Sequence, residues 1–578
     1  MDDEQKNQAS ETRVVDSESK PTADVKSARR IPISAAHWQR FKDWYGSNKK
    51  WSIPATILLL VILLVLVPWT RYKVAGLVIK KNFTIEVMDA TSRTPVSGAT
   101  ISIGSENSQT DGNGRAALHL SSGHHAVSVS KKYYQDRRAD VLVPILSQKS
   151  TPAIGLTATG RQVKIVVKDL INQKVLSDVD IKIADTTAKT DKNGTAIVVV
   201  PPDESTQKAT LSMDGYNDSS VTVKVGDSKV LENDFMLTPT GKVYFISKRT
   251  GKLDLMKANL DGSGAEVVVA GTGNEHDYDT KLLPSTDWKY VAFVAQRSAT
   301  DPTPQLYILA TADDKLLSVD SGNAIFTLKG WAGDNLIYFV SRNDVQTWQS
   351  GKDRLKSYDA SSGKTTLLDQ SAATGDSSAS AYEFYALVTI SGNNIIYGKN
   401  WTQVYGTTSP SGLIDGKQDT LATISANGQG HKVLANYDAN DNVQYAQHSS
   451  VGIYIWQQTD PSSDKFFDYT VGSAAPKDIN LNSDQFYQNY PQYFVSPSGK
   501  QTFWAENRDG KNTLFVGDYT GSNSSNIASL SDYSPYGWFS DDYLLVSKSN
   551  SELYIMGTKG GKAIKITDYQ QTGYPGEY

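Results

Sequence analysis

One stretch constrains this chain more than any other: residues 51–69, reading WSIPATILLLVILLVLVPW. No charged residue stands between Lys50 and Arg71, and the middle is almost wholly Leu, Ile and Val. At about 1.5 Å of rise per helical residue, the bounding Trp51 and Trp69 would stand roughly 27 Å apart, close to a bilayer's hydrocarbon thickness. Tryptophan favours the headgroup boundary, which accommodates both its apolar ring and its N–H. A single transmembrane helix is therefore expected over residues 51–70, with Trp51 and Trp69 as interface anchors. Cleavage as a signal peptide is not expected: the polar leader is long and no A-x-A site follows the apolar run.

The flanks set the direction. Residues 1–34 mix Asp, Glu, Lys, Ser and Gln, bury too little to offset the entropy of ordering, and are expected to be a disordered cytoplasmic tail. In residues 35–50, Trp38, Phe41 and Tyr45 fall at i, i+3 and i+7, so one face of a helix is aromatic. Arg40, Lys42, Lys49 and Lys50 add positive charge beside it. Such a helix either lies on an anionic leaflet or extends the transmembrane segment. Basic residues ahead of the span barely outnumber those just after it. A short tail stays inside more easily than it is exported, which places the remaining chain outside.

That remainder is long. A chain of 578 residues needs three or four cores. Its 58 basic and 62 acidic residues leave no broad basic field, so nucleic acid is not expected as a partner. Cysteine is absent, which in a large extracytoplasmic protein points to a bacterial envelope.

An internal repeat with a period of about 80 residues follows the apolar stretch. KNFTIEVMDATSR, from Lys81, aligns with RQVKIVVKDLINQ, from Arg161; PVSGATISI aligns with VLSDVDIKI, and TDGNG with TDKNG. Short alternating runs broken by Gly, Asn and Asp read as small antiparallel β-sandwiches over residues 82–158 and 162–238. The order of strand, P-V-S-G-A, strand, T-D-x-N-G, strand and closing aromatic resembles the carboxypeptidase regulatory-like and PEGA-type Ig-like modules. That resemblance implies spacers or binding platforms without enzymatic activity. The second copy closes on Gly215–Tyr216, whereas the first has Tyr133–Tyr134 and no glycine. Each D-x-N-G tetrad could open a calcium loop, but Ser122 and Pro202 stand where the twelfth-position acid is needed. A hairpin turn with positive φ at Asn and Gly explains both copies. His119, His124 and His125 are not expected to converge on a metal, since the adjacent pair faces opposite ways on a strand.

From residue 240 a repeat of roughly 40–55 residues takes over. One submotif is a leucine-led strand with a polar turn, as in LMKANLDGSG, LYILATADDK and LKSYDASSGK. The other is a turn before a strong apolar strand, as in STDWKYVAFV, WAGDNLIYFV and SPSGKQTFWA. These units closely resemble the TolB-type or WD-like propeller repeat, which implies a seven-bladed β-propeller over residues 240–578. The first blade lacks a leading strand, and the chain end, with YPGEY matching YPQYF upstream, is expected to supply it. The fold class expected for the whole chain is thus mainly β: one transmembrane helix, two small sandwiches and a propeller.

No G-x-S-x-G elbow, HExxH, P-loop or dinucleotide fingerprint appears, so no catalytic, cofactor-binding or metal residues are assigned. EHDYD, residues 275–279, is the densest cluster of acids with histidine and is expected to be a loop between blades. Trp348, Trp401 and Trp456 lie outside the recurring slots and are candidates to stack on a sugar or anchor a protein. The functional expectation is a single-pass membrane protein whose β-modules present the propeller to a protein or glycan partner. The competing expectation is a hydrolase or lyase acting on glycan or peptide. Convergent carboxylates or a histidine along the channel would favour the enzyme; aromatic and neutral lining would favour binding.

Overall fold

The computed structural model describes residues 35–66 and 72–572, apart from 74–75, 78, 227–229, 378, 404–411, 461–462, 484–485, 487–491, 509–510 and 530–532. Two compact units result: residues 1–83 with 119–125 and 142–149, and residues 84–118, 126–141 and 150–578.

In the first unit, α1 spans Ala35–Ser47 and α2 spans Lys49–Leu66. Gly46, Ser47 and Asn48 end α1, and the Asn48 N–H and side-chain amide both donate to the Trp44 carbonyl. The chain then bends. Tyr45 and Thr56 share a hydroxyl–hydroxyl bond of 2.7 Å, and Ser52 Oγ donates to the Tyr45 carbonyl at 2.9 Å. In one straight helix Tyr45 and Thr56 would be roughly 16 Å apart along the axis, so α1 is no extension of α2. Residues 57–63 of α2 are exposed without interruption. No helix among the described residues is long and apolar enough to cross a membrane. Residues 67–70, Trp69 included, and the expected tail at 1–34 lie outside the described residues.

Two β-modules follow the helices; the second lies wholly in the second unit, whereas residues 119–125 and 142–149 of the first count with the first unit. In the second module, strands from Arg161 to Leu237 make two sheets whose inner faces share one core. That core includes Val163, Ile165, Ile181, Leu211 and Val223, each buried at the alternate positions that strand pleating selects. The modules are not purely antiparallel. Lys80–Asp89 pairs in parallel with Ala153–Ala158, and Arg161–Asp169 pairs in parallel with Leu231–Leu237. In both modules the last strand returns beside the first and runs the same way, which alternation alone does not encode. The D-x-N-G tetrads are turns: Asp111 Oδ1 accepts the N–H groups of Asn113 and Arg115, and Asp191 Oδ1 those of Asn193 and Thr195. Only the glycines, Gly114 at 72° and Gly194 at 69°, take positive φ, so the expectation for the asparagines is corrected. The asparagines act through their N–H groups instead.

Residues 242–568 form seven sheets, each a simple up-and-down meander: blade 1 (242–269), blade 2 (281–320), blade 3 (324–370), blade 4 (381–438), blade 5 (442–478), blade 6 (494–529) and blade 7 (533–568). Blades 2 to 7 have four strands and blade 1 has three among the described residues. Core clusters bridge neighbouring blades, joining 2 to 3, 3 to 4, 4 to 5 and 6 to 7. Ser450 Oγ donates to the Tyr519 carbonyl between blades 5 and 6. A further cluster unites Leu545 and Ile555 of blade 7 with Val243 of blade 1 and Val291 of blade 2, and the ring closes. The sheets therefore stack as a seven-bladed propeller.

Polar turns ahead of the last described strand of a blade follow one recipe. Asp261, Asp359 and Asp518 each accept N–H and hydroxyl bonds from the two to four residues that follow. This explains why the leucine-led submotif ends as it does.

Two contacts span the incomplete blade. The Trp331 and Trp538 indoles each donate to the innermost strand of the preceding blade, at Leu283 and Phe494. Trp288 of blade 2 reaches past blade 1 and donates to the Trp538 carbonyl of blade 7 at 3.2 Å. At the other end, the Gln570 N–H donates to the Ile246 carbonyl of blade 1 at 2.8 Å. The strand expected from residues 574–578 lies outside the described residues.

Candidate functional site

Because adjacent strands of a blade run antiparallel, its loops open alternately at two ends of the ring. One end is taken by the second module. Asp169 Oδ2 accepts the Tyr543 hydroxyl at 2.6 Å, Thr238 Oγ1 donates to Asp261 at 2.9 Å, and Asn172 packs on Gly557. Ile171 is buried in the same core cluster as Val243 and Leu545. All these propeller groups lie at turns that join first to second or third to fourth strands or, in blade 1, the last two described strands. The opposite end carries the loops between second and third strands and between blades.

The three sequence-picked tryptophans all fall toward that opposite end, on the second strands of blades 4 and 5 or the loop after it in blade 3. Trp348 is half-buried, and its carbonyl accepts the Gly375 N–H at 2.8 Å, which ties its loop to the connection into blade 4. Trp401 is half-buried too. Its N–H donates to Asp419 Oδ1 at 2.7 Å and the Lys417 ammonium sits 4.7 Å from its ring centre. Trp456 differs: it is 7% exposed and packs on Phe466 and Phe486, with ring centres 6.1 and 5.8 Å away. Its ring is spent inside blade 5.

Between blades 3 and 4 lies a charged group that sequence reasoning missed. Lys399 Nζ stands 3.0 Å from Asp369 and 2.9 Å from Glu383, and the Tyr385 hydroxyl donates to Asp369 at 2.9 Å. Burial works against the Lys399 ammonium, but the two carboxylates outweigh it and hold its pKa above the ordinary value. Burial likewise drives the Tyr385 phenol upward, and Asp369 adds to it. Nearby, Asp419 is 2% exposed, and burial pushes its carboxyl up to about 7 against the opposing Trp401 N–H bond. Nothing in the sequence marks the charged group out, since Asp369, Glu383 and Lys399 lie on three successive strands at unlike positions.

The other candidates resolve into structure. Glu275 of EHDYD is fully enclosed and accepts the Thr272 and Gly273 N–H groups and the Arg297 guanidinium. Although burial opposes it, those donors hold its carboxyl below the usual range. Asp277 pairs with Lys248 at 2.6 Å, and His276 stacks on Tyr278. His119 bonds Asn82 at 3.1 Å and His125 bonds the Ser121 carbonyl at 2.7 Å. No group of three or more metal-ligating side chains exists among the described residues. A cavity of about 580 Å³ runs along the seam of blades 7 and 1, but its cations are engaged: Arg249 with Thr567, Lys248 with Asp277 and Lys565 with Glu552 and Asp568. Along the innermost described strands the single carboxylate is Glu383, held by Lys399, and there is no histidine.

No protein-family model matches this chain, and no curated protein sequence matches it. Among solved structures it is similar to the β-propeller domain of the trilobed protease from Pyrococcus furiosus, at 11% identity over 58% of this chain and 94% of that one, with a TM-score of 0.35. An acylaminoacyl peptidase from Pyrococcus horikoshii is 14% identical over 57% of this chain and 52% of its own, with a TM-score of 0.33. TolB from Acinetobacter baumannii is 12% identical over 55% and 74%, with a TM-score of 0.26. Likenesses this distant transfer no activity, and the propeller stands on its strand pairing and blade contacts.

Proposed function

We propose that this is a membrane-anchored binding protein of a bacterial envelope, with the N-terminus in the cytoplasm and the β-domains outside. The two modules act as a stalk, and the propeller takes a protein or glycan through the end that faces away from it. One observation carries this reading. The second module occupies one end of the ring, while the other keeps Trp348 and Trp401 partly exposed and, among the described residues, the one innermost-strand carboxylate is neutralised by a lysine. Two half-exposed rings, that of Trp401 beside the Lys417 ammonium, suit stacking on a sugar or a partner's side chain. Anchoring is supported by α2, whose residues 57–63 offer apolar surface on every side, a pattern that a packed protein helix does not leave open. Crosslinking on intact cells, with wild type and a Trp348→Ala/Trp401→Ala variant compared by mass spectrometry, tests the reading. Adducts present in the wild type and lost in the variant are expected; unchanged adducts contradict it.

A further inference from the structure

We infer that α1 is a lipid-surface helix, seated in the headgroup region of an anionic leaflet beside the point where α2 enters; this rests on the membrane anchoring proposed above. At roughly 100° per residue, Trp38, Phe41, Trp44 and Tyr45 of α1 gather on one side. Arg40 and Lys42 then fall on the two flanks of that side, each roughly 100° from its middle, and Asp43 falls almost opposite. Arg40, Lys42 and Asp43, together with Lys49 and Lys50 at the junction, are exposed.

The aromatic side packs only lightly on itself. Trp38 stacks on Phe41 at 5.9 Å, and Phe41 tilts against Trp44 at 6.4 Å and Tyr45 at 6.0 Å. Trp38, Phe41 and Trp44 nevertheless remain more than half exposed. At the bend after Asn48, Tyr45 is the member of this side held to α2, through its bond to Thr56 and the Ser52–Tyr45 bond, while Trp38, Phe41 and Trp44 stay exposed, as does Trp51 at the start of α2.

Lipid is the occupant that this charge pattern fits. Basic side chains on both flanks let their stems lie along the apolar surface and their heads reach phosphate, while the lone acid faces water. A second copy of the helix would bring Arg40 and Lys42 against their own kind. Four basic residues within two turns of the junction match the negative potential of a cytoplasmic leaflet.

The chain has no cysteine, so single-cysteine probes report cleanly. The full-length protein is placed in nanodiscs of phosphatidylcholine, with or without phosphatidylglycerol, and carries an environment-sensitive fluorophore at Trp44→Cys, Asp43→Cys or Leu60→Cys. In the anionic discs, iodide quenching at 44 is expected to be roughly fivefold weaker than at 43, and an added Arg40→Glu/Lys42→Glu pair removes the difference. Trp38→Cys supplies a second probe on the same side, with the same protection expected. Equal quenching at 43 and 44 while 60 stays protected overturns the surface helix and leaves the anchor standing. Quenching at 60 overturns the anchor itself. Protection at 44 that is the same in neutral discs and rises with protein concentration assigns the face to a second copy instead.

Discussion

Asp169 of the second module and Tyr543 of blade 7 are joined by a 2.6 Å hydrogen bond, although 374 residues separate them. Asp169 is completely buried, and its oxygens divide their work. Oδ1 accepts the N–H groups of Ile171 and Asn172, closing its own turn; Oδ2 accepts Tyr216 and Tyr543. Asp89, at the same place in the first module, does likewise: Oδ1 takes Thr91 and Ser92, and Oδ2 takes Gln162 of the second module. Each repeat thus spends one carboxylate oxygen on its own turn and reaches the domain that follows with the other, which in Asp169 also holds Tyr216 of the same module. The stalk is a chain of such handovers.

Replacing Asp169 with Ala leaves two N–H groups and two phenols without their acceptor. Buried bonds to a charged group are worth about 1.5–3 kcal/mol each before relaxation, so a loss of roughly 3–5 kcal/mol is expected. Calorimetry is expected to show the second module melting apart from the propeller. Asp89→Ala, which leaves that junction alone, is expected to preserve their joint transition.

Tyr133 takes φ of 64° where the second module has Gly215 at 82°. A left-handed tyrosine costs about 1 kcal/mol or more, but its hydroxyl donates to the Ala184 carbonyl of the next module at 2.9 Å. Tyr133→Phe keeps the strain and loses the bond, and urea unfolding is expected to show about 1 kcal/mol of destabilisation. Tyr133→Gly loses both and is expected to lie close to the wild type.

Asp419 sets a pH dependence of unusual sign. Its folded pKa, pushed up by burial to about 7, lies above the ordinary carboxylate value near 4. Between those values the folded state holds the proton more tightly, so this group's contribution to stability falls as pH rises from about 4 to about 7. Asp419→Asn keeps an oxygen for the Trp401 N–H and removes the buried charge. It is expected to raise the melting temperature at pH 8 by at least roughly 2–4 °C and to change it little at pH 4. Equal shifts at both pH values would show that Asp419 is not the group responsible.

Ring closure can be tested at one backbone atom. Gln570→Pro removes the N–H that donates to Ile246 and is expected to lower the propeller's melting temperature, and deletion of residues 568–578 to lower it further. An unchanged melt in both would mean that blade 1 is closed by other contacts, Trp288 foremost.

Much of this architecture was legible in residues. The aligned T-D-x-N-G turns announce two like modules because an Asx turn needs those side chains at that spacing, and the blade turns at Asp261, Asp359 and Asp518 announce themselves the same way. Strand direction was not legible, since period-two alternation is identical for parallel and antiparallel neighbours; the Arg161–Asp169 and Leu231–Leu237 pair therefore departs from the antiparallel expectation. Trp456 looked like a surface candidate because it sits outside the recurring slots, yet Phe486, thirty residues on, folds over it. Lys399, Asp369 and Glu383 carry no shared motif, and only the stacking of blades 3 and 4 brings them together. The second oxygen of Asp169 was equally hidden, because its partner belongs to another domain.

The claim that recognition occurs at the end of the ring away from the stalk is tested most directly by photocrosslinking from defined positions. A benzophenone amino acid is placed at Trp348, at the free end, or at Asp313, an exposed turn at the stalk end, in the full-length protein on intact cells. Discrete adducts from position 348 and none from 313 are the predicted result. Adducts from 313 alone, or the same adducts from both positions, would contradict the account.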